Sequence, residues 1–416
     1  MQSILRKNVF NHANFFKPIS HYATVADDPI ENRALMTHEY KREIRKFPPS
    51  VYGGIHILTC VYSTGLGLKL FNAVRRIVDH SGAPVFWESF ALPQSKIKHH
   101  YIEEITQSIL RNRIAVKSNF ELGRKNFGEG SMSYANNYII NSLDLFAGIL
   151  KFRTFEGLKT KHKNVDMAVV FQNNWGDFHN LEYEPVKGVV ESIRVAHGPL
   201  FEKLVVYACN YAMRRGRKKI SIVHHKIHIS IEQSEQLFLE TAKKVQSRFP
   251  ELEFEQMNLR ETIGIIFKDP SYFDIICLTD RFASPVASAL CGICGGQGLF
   301  SGASYNEYIA MFEPAEVKLC LRDNRLLKGP SPIAVLTSTI GALNYVGLGQ
   351  YADKIEKALY KTILSDKIRT LDLGGRASAT QVCDQIMRNI DEIDYCEAKE
   401  IPEGGKIREK KESPLF

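Results

Sequence analysis

Apolar runs separated by glycine-rich turns predict an α/β protein. Residues 55–62, IHILTCVY, form a continuous apolar run that is typical of a buried strand. The turn STGLGLK at 63–69 follows, and apolar side chains then recur at helical spacing at Leu70, Phe71, Val74 and Ile77. A strand, a glycine-rich turn and a helix in this order indicate an α/β unit.

The same pattern continues along the chain. Residues 84–88 predict a second strand, 101–111 a helix, 112–117 a third strand, and 121–132 a polar, glycine-rich loop. An apolar helix is predicted over 333–348. The polar stretch 27–50 predicts a linker, and the charged residues 396–416 predict a disordered tail.

The N-terminal segment is basic and lacks acids. Residues 1–26 contain Arg6, Lys7 and Lys17 with spaced apolar residues, and the first acid is Asp27. This pattern is typical of a mitochondrial transit peptide and predicts a matrix protein. Removing the segment would lower the net charge of +8. The positive net charge is therefore only weak support for nucleic-acid binding, and we expect no nucleic-acid partner.

Composition and cysteine spacing limit the kinds of site that the sequence predicts. The chain has 416 residues, of which 44% are hydrophobic and 24% charged, as in ordinary globular proteins. No apolar run approaches the roughly 18 residues of a membrane span. Cys291 and Cys294 are the one close pair among eight cysteines, without a second pair or a neighbouring histidine. We therefore predict buried thiols in a reducing compartment, and no zinc site.

One stretch carries a family resemblance. Residues 171–192, FQNNWGDFHNLEYEPVKGVVES, resemble the signature R-E-N-T-E-G-E-Y-S-x-L-E-H-E-S-V-x-G-V-V-E-S of NAD-dependent isocitrate dehydrogenase subunits. Residues 157–166, GLKTKHKNVD, resemble the gamma-type pattern G-x-x-T-R-H-K-D-I-D. Similar segments occur in the same order at 142–147, 295–305 and 372–375. The resemblance extends over about residues 47–395.

The resemblance implies a fold and a domain division. The isocitrate/isopropylmalate dehydrogenase family has an α/β fold with two lobes around a mixed sheet and a dimer clasp. By analogy, residues 51–148 and 290–395 would form the large domain. Residues 149–289 would form the small domain, with the clasp at about 179–205.

The substrate residues of the family are altered. In the family signature an Arg grips a substrate carboxylate and a Tyr takes part in acid–base chemistry. Here these positions are Phe171 and Phe178, and a phenyl ring does neither. In the segment S-x-N-x-x-L-R the final Arg has become Ile140, whereas Asn136 is retained. A pocket without these cations cannot bind a tricarboxylate in the family's way.

The metal and nucleotide residues are altered as well. Two aspartates that coordinate Mg²⁺ or Mn²⁺ in the family have become Ser284 and Ser288, and hydroxyls cannot replace two charges. The segment 314–332 lacks the family's nucleotide loop. Lys226 could fill the role of the family's catalytic Lys if a nearby insertion shifts it into place. We favour the interpretation that Lys226 belongs to an exposed polar loop.

These losses favour a gamma-like, non-catalytic subunit of the mitochondrial NAD-dependent isocitrate dehydrogenase complex. It would hold no cofactor itself and would pair with an alpha-type subunit that binds NAD and Mg²⁺ or Mn²⁺. One alternative is a residual dehydrogenase that uses Lys226, with Asp274 or Asp280 as a metal ligand. Another is a structural pseudoenzyme outside the complex, with contacts through the tail and the basic stretch 213–219.

Overall fold

The computed structural model describes residues 54–93, 95–118, 130–155, 157–158, 160–176, 181–227, 230–315 and 331–400. The predicted transit peptide, the linker at 27–50 and residues 401–416 of the predicted tail lie outside these ranges. So do Phe178 and most of the altered nucleotide segment, residues 316–330.

The described residues form fourteen strands and ten α-helices. The strands are β1 (His56–Ser63), β2 (Val85–Leu92), β3 (Ile114–Lys117), β4 (Ala147–Arg153), β5 (Asp166–Gln172), β6 (Leu181–Val186), β7 (Val189–Ile193), β8 (Lys219–His224), β9 (Lys226–Ile227), β10 (Ser230–Ile231), β11 (Glu253–Asn258), β12 (Ile275–Leu278), β13 (Ser301–Tyr305) and β14 (Ala310–Pro314). The helices are α1 (Leu66–His80), α2 (His99–Asn112), α3 (Met132–Ser142), α4 (Gly198–Arg215), α5 (Gln233–Gln246), α6 (Leu259–Lys268), α7 (Asp280–Cys294), α8 (Ile333–Tyr345), α9 (Gly349–Tyr360) and α10 (Ala379–Glu400).

Ten strands form one mixed sheet in the order β11-β8-β12-β5-β4-β13-β14-β3-β1-β2. Strands β11, β8, β12 and β5 are parallel to one another, and β14, β3, β1 and β2 form a second parallel set. Antiparallel pairing through β4 and β13 joins the two sets. The two parallel sets therefore run in opposite directions within a single sheet.

The helices cover both faces of this sheet. Helices α4 and α5 pack on β4, β5, β8 and β12, and α2 and α3 pack on β1, β3 and β14. A larger core on the other face combines α1, α6, α7, α8, α9 and α10 with strands of both parallel sets. Helix α1 shows why the elements form, because Leu70, Phe71, Val74, Ile77 and Val78 lie on its buried face.

Strands β6 and β7 form a separate two-stranded hairpin, which we call the clasp hairpin. Every residue of both strands is exposed. Tyr183, Val186, Val190 and Ile193 are each at least 60% exposed. An isolated two-stranded hairpin is marginally stable at best in water, and its apolar side chains form an exposed apolar surface.

The predicted elements agree with the structure in type and order. The apolar run at 55–62 forms β1, the helix predicted over 101–111 forms α2, and the helix predicted over 333–348 forms α8. Helix α10 continues to Glu400, past the predicted start of the tail at 396. Among the described residues, no helix has the length and apolar character needed to span a membrane. The division into large and small domains stays a prediction.

Candidate active site

The altered signature begins where β5 ends. Strands β5, β12 and β8 are parallel neighbours, so their carboxyl ends meet at one edge of the sheet. Residues Asn173–Gly176 follow β5, α7 begins directly after β12, and the short ribbon β9–β10 follows β8. The predicted positions Phe171, Ser284 and Lys226 therefore belong to elements that meet at this edge.

The Phe171 ring packs over a glycine in the neighbouring strand of the sheet. Its backbone lies directly opposite Gly148 in the β4–β5 ladder. A Cβ placed on Gly148 would lie 2.3 Å from the Phe171 Cζ atom, so the ring covers the glycine. The side chain is half-buried and packs against the larger core. At this position, where the family resemblance predicts a cationic side chain, the chain has an apolar contact inside its own sheet.

Asn136 belongs to a chain of polar contacts. Lys117 at the end of β3 donates to the Asn136 Oδ1 atom at 2.7 Å and forms an ion pair with Glu313 of β14. The Ser304 hydroxyl donates to Glu313 at 3.0 Å, and the Asn173 amide donates to Ser304 at 2.9 Å. This chain connects α3 to the start of the altered signature across β3, β14 and β13. The retained Asn136 thus has a structural role in holding these elements together.

Ile140 is buried within the core that α2 and α3 share. It lies one turn after Asn136 on α3, so the two residues share one face of that helix. The position that carries an arginine in the resemblance has therefore become a core residue.

Asp280 is bound by an arginine beside the clasp hairpin. Arg194 follows the last residue of β7, and its guanidinium donates to the Asp280 carboxylate at 2.7 Å. Arg194 also lies 3.7 Å from Glu235 of α5. The side chains of Asp280 and Glu235 are fully buried, and that of Arg194 is 15% exposed. We call Arg194, Glu235 and Asp280 the clasp-root ion cluster.

Further contacts hold this cluster in place. The Thr279 hydroxyl donates to Glu235 at 3.2 Å, and the backbone N–H of His225 donates to the other Glu235 oxygen at 3.2 Å. Burial raises the pKa of the Glu235 carboxyl, and the N–H of His225 and the charge of Arg194 partly oppose this shift. A Cβ on Gly176 would lie 2.2 Å from the Asp280 carboxylate, so only glycine permits this approach. The altered signature, α5 and α7 therefore meet at one buried ion cluster.

The metal positions do not fit a divalent cation. Ser284 is exposed and Ser288 half-buried on α7, and each offers only a neutral hydroxyl. Asp280, the carboxylate at the start of the same helix, already pairs with Arg194. Within the described ranges, no group of three His, Cys, Asp or Glu side chains is placed to hold a metal.

The two aspartates suggested as residual metal ligands lie at opposite ends of β12. Asp274 precedes the strand and accepts from the Arg217 guanidinium at 2.6 Å and from the backbone N–H of Lys218 at 2.8 Å. Asp280 follows the strand and pairs with Arg194. A four-residue strand is about 13 Å long at about 3.3 Å per residue, so the two carboxylates cannot share one ion.

Lys226 lies in β9, directly after the buried end of β8, and is half-buried. The prediction of an exposed polar loop around Lys226 is therefore wrong, because β8 ends at His224 and the short strand β9 begins at Lys226. Burial lowers the pKa of the His224 imidazole, a hydrogen bond with the Met257 backbone partly opposes this shift, and the charge of Lys226 lowers the pKa further.

Two other predictions concern residues away from this edge. Cys291 and Cys294 are buried in α7, as predicted, and burial raises the pKa of each thiol, to about 12 and about 11. The basic stretch 213–219 is only partly available for contacts. Arg217 pairs with Asp166 and Asp274, and Lys219 pairs with Glu255.

Comparison with known proteins identifies the family. Residues 85–390 match the family described as isocitrate/isopropylmalate dehydrogenase. The chain belongs to this family. It is 31% identical over 346 residues to "Isocitrate dehydrogenase [NAD] subunit gamma, mitochondrial" of Macaca fascicularis, with 82% of this chain and 95% of that protein covered. It is 30% identical to "Isocitrate dehydrogenase [NAD] regulatory subunit 1, mitochondrial" of Arabidopsis thaliana, with 84% and 94% covered.

The fold agrees with this family membership. An isocitrate dehydrogenase crystal structure from Methylococcus capsulatus matches with a TM-score of 0.72 at 24% identity, covering 81% of this chain and 99% of that one. The predicted resemblance to gamma-type subunits and the predicted α/β fold around a mixed sheet are both confirmed.

Sequence reasoning missed two groups of charged residues in this family member. Arg194 lies within the predicted clasp segment, directly after β7, but its sequence neighbours do not indicate that its partners are more than 40 residues away. Lys117 ends a buried strand, and a buried charge requires a partner. Its position in the sequence therefore could have predicted an ion pair such as the one with Glu313.

Proposed function

We propose that the chain is a non-catalytic, gamma-like subunit of the NAD-dependent isocitrate dehydrogenase complex in the mitochondrial matrix. It would pair with an alpha-type subunit that carries out the conversion of isocitrate to 2-oxoglutarate. In this proposal NAD and Mg²⁺ or Mn²⁺ bind to the partner, and this chain stabilises the partner or tunes its activity. The mitochondrial location rests on the names of the relatives and on the basic N-terminal segment.

The exposed clasp hairpin carries the proposal of assembly. Its strands pair only with each other within the described part of the chain, and their apolar side chains are open to water. Fully burying one such valine or isoleucine contributes about 1.5–3 kcal/mol. A partner that adds strands or packs on this hairpin would remove this exposed surface.

The clasp-root ion cluster supports the absence of catalysis. Asp280 is the carboxylate nearest in sequence to the altered metal positions, and Arg194 compensates its charge internally. A divalent cation would have to displace this guanidinium from a buried site, which leaves two cations competing for one carboxylate. The phenyl ring of Phe171 offers a substrate carboxylate no partner.

Co-purification tests the proposal directly. A tagged chain isolated from mitochondria is expected to bring an alpha-type subunit with it in equal amount. The purified complex is expected to reduce NAD, and the isolated chain is expected to remain inactive with or without Mg²⁺. Recovery of the chain alone, or with unrelated proteins, would contradict a subunit role and favour a structural pseudoenzyme. NADH production by the isolated chain would contradict the non-catalytic assignment.

Citrate provides a second test. The effector residues of gamma-type subunits coincide with altered positions, so we propose that citrate activates the complex weakly or not at all through this chain. Strong citrate activation that disappears when this chain is omitted would contradict this part of the proposal.

A further inference from the structure

A row of tyrosine and arginine side chains lies along α4. Tyr207, Tyr211 and Arg215 are spaced four residues apart, so they share one face of this helix. The Arg215 guanidinium lies 5.8 Å from the centre of the Tyr211 ring. The Tyr207 ring packs at 5.6 Å from the ring of Tyr305 in β13, a strand that pairs with β4. At about 1.5 Å per residue, the row is about 12 Å long.

Lys151 of β4 extends from the sheet toward the same row. Side chains alternate along a strand, so Lys151 lies on the same sheet face as Ile149, which packs under α4. Lys151, Arg214 and Arg215 are exposed, and none of them forms an ion pair with a described carboxylate. The surrounding protein and the charge of Arg215 lower the pKa of Lys151 to about 7, and Glu356 only partly opposes this shift. The cations here therefore repel one another without full compensation.

Tyrosine hydroxyls supply hydrogen-bond donors beside these cations. Burial raises the pKa of Tyr207, Tyr211 and Tyr305, so the three hydroxyls stay protonated at physiological pH. Among the described residues, the hydroxyls of Tyr207 and Tyr305 have no hydrogen-bond partner, yet neither oxygen is sealed from water. An acceptor from outside the chain can therefore take the place of water at both hydroxyls.

We propose that this surface, which we call the tyrosine–arginine surface, binds an extended acidic segment of another protein chain. Its members are Lys151, Tyr207, Tyr211, Arg214, Arg215 and Tyr305. Its length of about 12 Å exceeds a single carboxylate or phosphate group. In an extended peptide, side chains two residues apart lie on one side at a spacing of about 7 Å. Two such carboxylates fit along the row, one at the arginine end and one at the hydroxyls of Tyr207 and Tyr305.

Single-stranded nucleic acid carries negative charge as well but suits this surface less. Proteins bind its bases by stacking them on open aromatic ring faces. The Tyr207 ring already contacts the ring of Phe146 at 6.0 Å as well as that of Tyr305. The Tyr305 ring also contacts Phe312 at 6.0 Å. The hydroxyl ends are available and the rings are packed, which favours a peptide carboxylate over a base.

The tyrosine–arginine surface is separate from the altered substrate site and from the clasp hairpin. Phe171 and the helix α7 that carries Ser284 pack in the larger core, on the other face of the sheet from α4. Arg215 ends α4, whereas the clasp hairpin precedes the start of this helix at Gly198. A helix of this length extends about 25 Å, so a partner on the hairpin leaves the far end of α4 open. The proposal therefore does not depend on assembly through the clasp.

Fluorescence anisotropy with the isolated full chain tests this surface. The probe is a fluorescein-labelled peptide of Glu-Ser repeats, about eight residues long, and a peptide of Gln-Ser repeats is the uncharged comparison. We expect saturable binding of the acidic peptide alone. Arg214→Gln/Arg215→Gln is expected to weaken this binding about tenfold. Tyr207→Phe removes one hydroxyl and no charge, and it is also expected to weaken binding about tenfold.

Matched variants at exposed sites elsewhere supply the controls. Lys243→Gln/Lys244→Gln near the end of α5 removes the same charge, and Tyr183→Phe in the clasp hairpin removes one exposed hydroxyl. Both should bind the acidic peptide as the wild type does, and circular dichroism should show that all variants are folded.

Four results would overturn the proposal. The uncharged peptide could bind as tightly as the acidic one, or the lysine control could weaken binding as much as the arginine variant. Tyr207→Phe could leave binding unchanged, which would reduce the effect to unspecific charge attraction. A single-stranded RNA of the same length could bind more tightly than the peptide, which would assign the surface to nucleic acid.

Discussion

Replacing Arg194 tests whether the clasp-root ion cluster stabilises the fold. In Arg194→Met the aliphatic part of the side chain is roughly preserved, but the guanidinium that pairs with Asp280 and approaches Glu235 is lost. Both carboxylates are fully buried, so neither gains water as a substitute partner. Removing one member of a buried ion pair costs about 3–5 kcal/mol, and we expect the free energy of unfolding to fall by this amount at pH 7.5.

The pH dependence of this loss follows from Glu235. Burial raises the pKa of its carboxyl, and the nearby Arg194 charge opposes the shift, so the pKa rises further in the variant. The folded state then binds more protons than the unfolded state between the unfolded and folded pKa values. Stability therefore decreases as pH rises through this window. The difference between wild type and variant should be largest near neutral pH and smaller near pH 5.

Urea unfolding followed by circular dichroism, at several pH values, measures these free energies. The control is Arg281→Met, because Arg281 is 44% exposed and lies 3.4 Å from Glu232 in a neighbouring surface pair. Such a pair contributes about 0–1 kcal/mol. The reasoning is refuted if Arg194→Met costs no more than Arg281→Met, or if its cost does not change with pH.

Three further predictions concern other parts of the chain. Val190→Asp in the clasp hairpin should abolish co-purification of the partner without lowering the chain's own thermal stability, whereas Tyr308→Asp, at a comparably exposed site, should leave co-purification intact; equal effects of both would contradict a role for the hairpin. Gly148→Ala should cost about 1–3 kcal/mol in urea unfolding because its methyl group would overlap the Phe171 ring, and Phe171→Leu in the same chain should recover part of this loss; additive costs would show that the ring is not the obstacle. Cys291 and Cys294 should react with a thiol reagent at pH 8 only as fast as the chain unfolds, since burial raises both pKa values to about 11–12; rapid labelling of the native protein would show that they are accessible.

Local pattern predicted much of the fold because the relevant forces act over short distances in the chain. The apolar run before Ser63 and the helical spacing of Leu70 to Ile77 each report burial on one side of a single element. The order of the ten sheet strands is set by contacts between distant segments, such as β14 with β3. The local sequence pattern does not predict that order. The arrangement of the sheet was predicted from the family resemblance.

The sequence also predicted only part of the candidate site. The chemical consequence of Phe171 could be read from the residue type, because a phenyl ring lacks a charge in any environment. The ring's contact with Gly148 depends on the register between β4 and β5. Asp280 was considered as a metal ligand from its sequence position, and only its contact with Arg194 reveals that the carboxylate is already neutralised.

The clasp hairpin has a consequence for the abundance of the protein in the cell. In the proposed subunit role, a chain without its partner would present the exposed valines and tyrosine of the hairpin to chaperones and proteases. Synthesis in excess of the partner would then yield orphan chains that are degraded instead of accumulating. The amount of this protein in the cell would then follow the amount of its partner, because only chains with a covered hairpin would escape degradation.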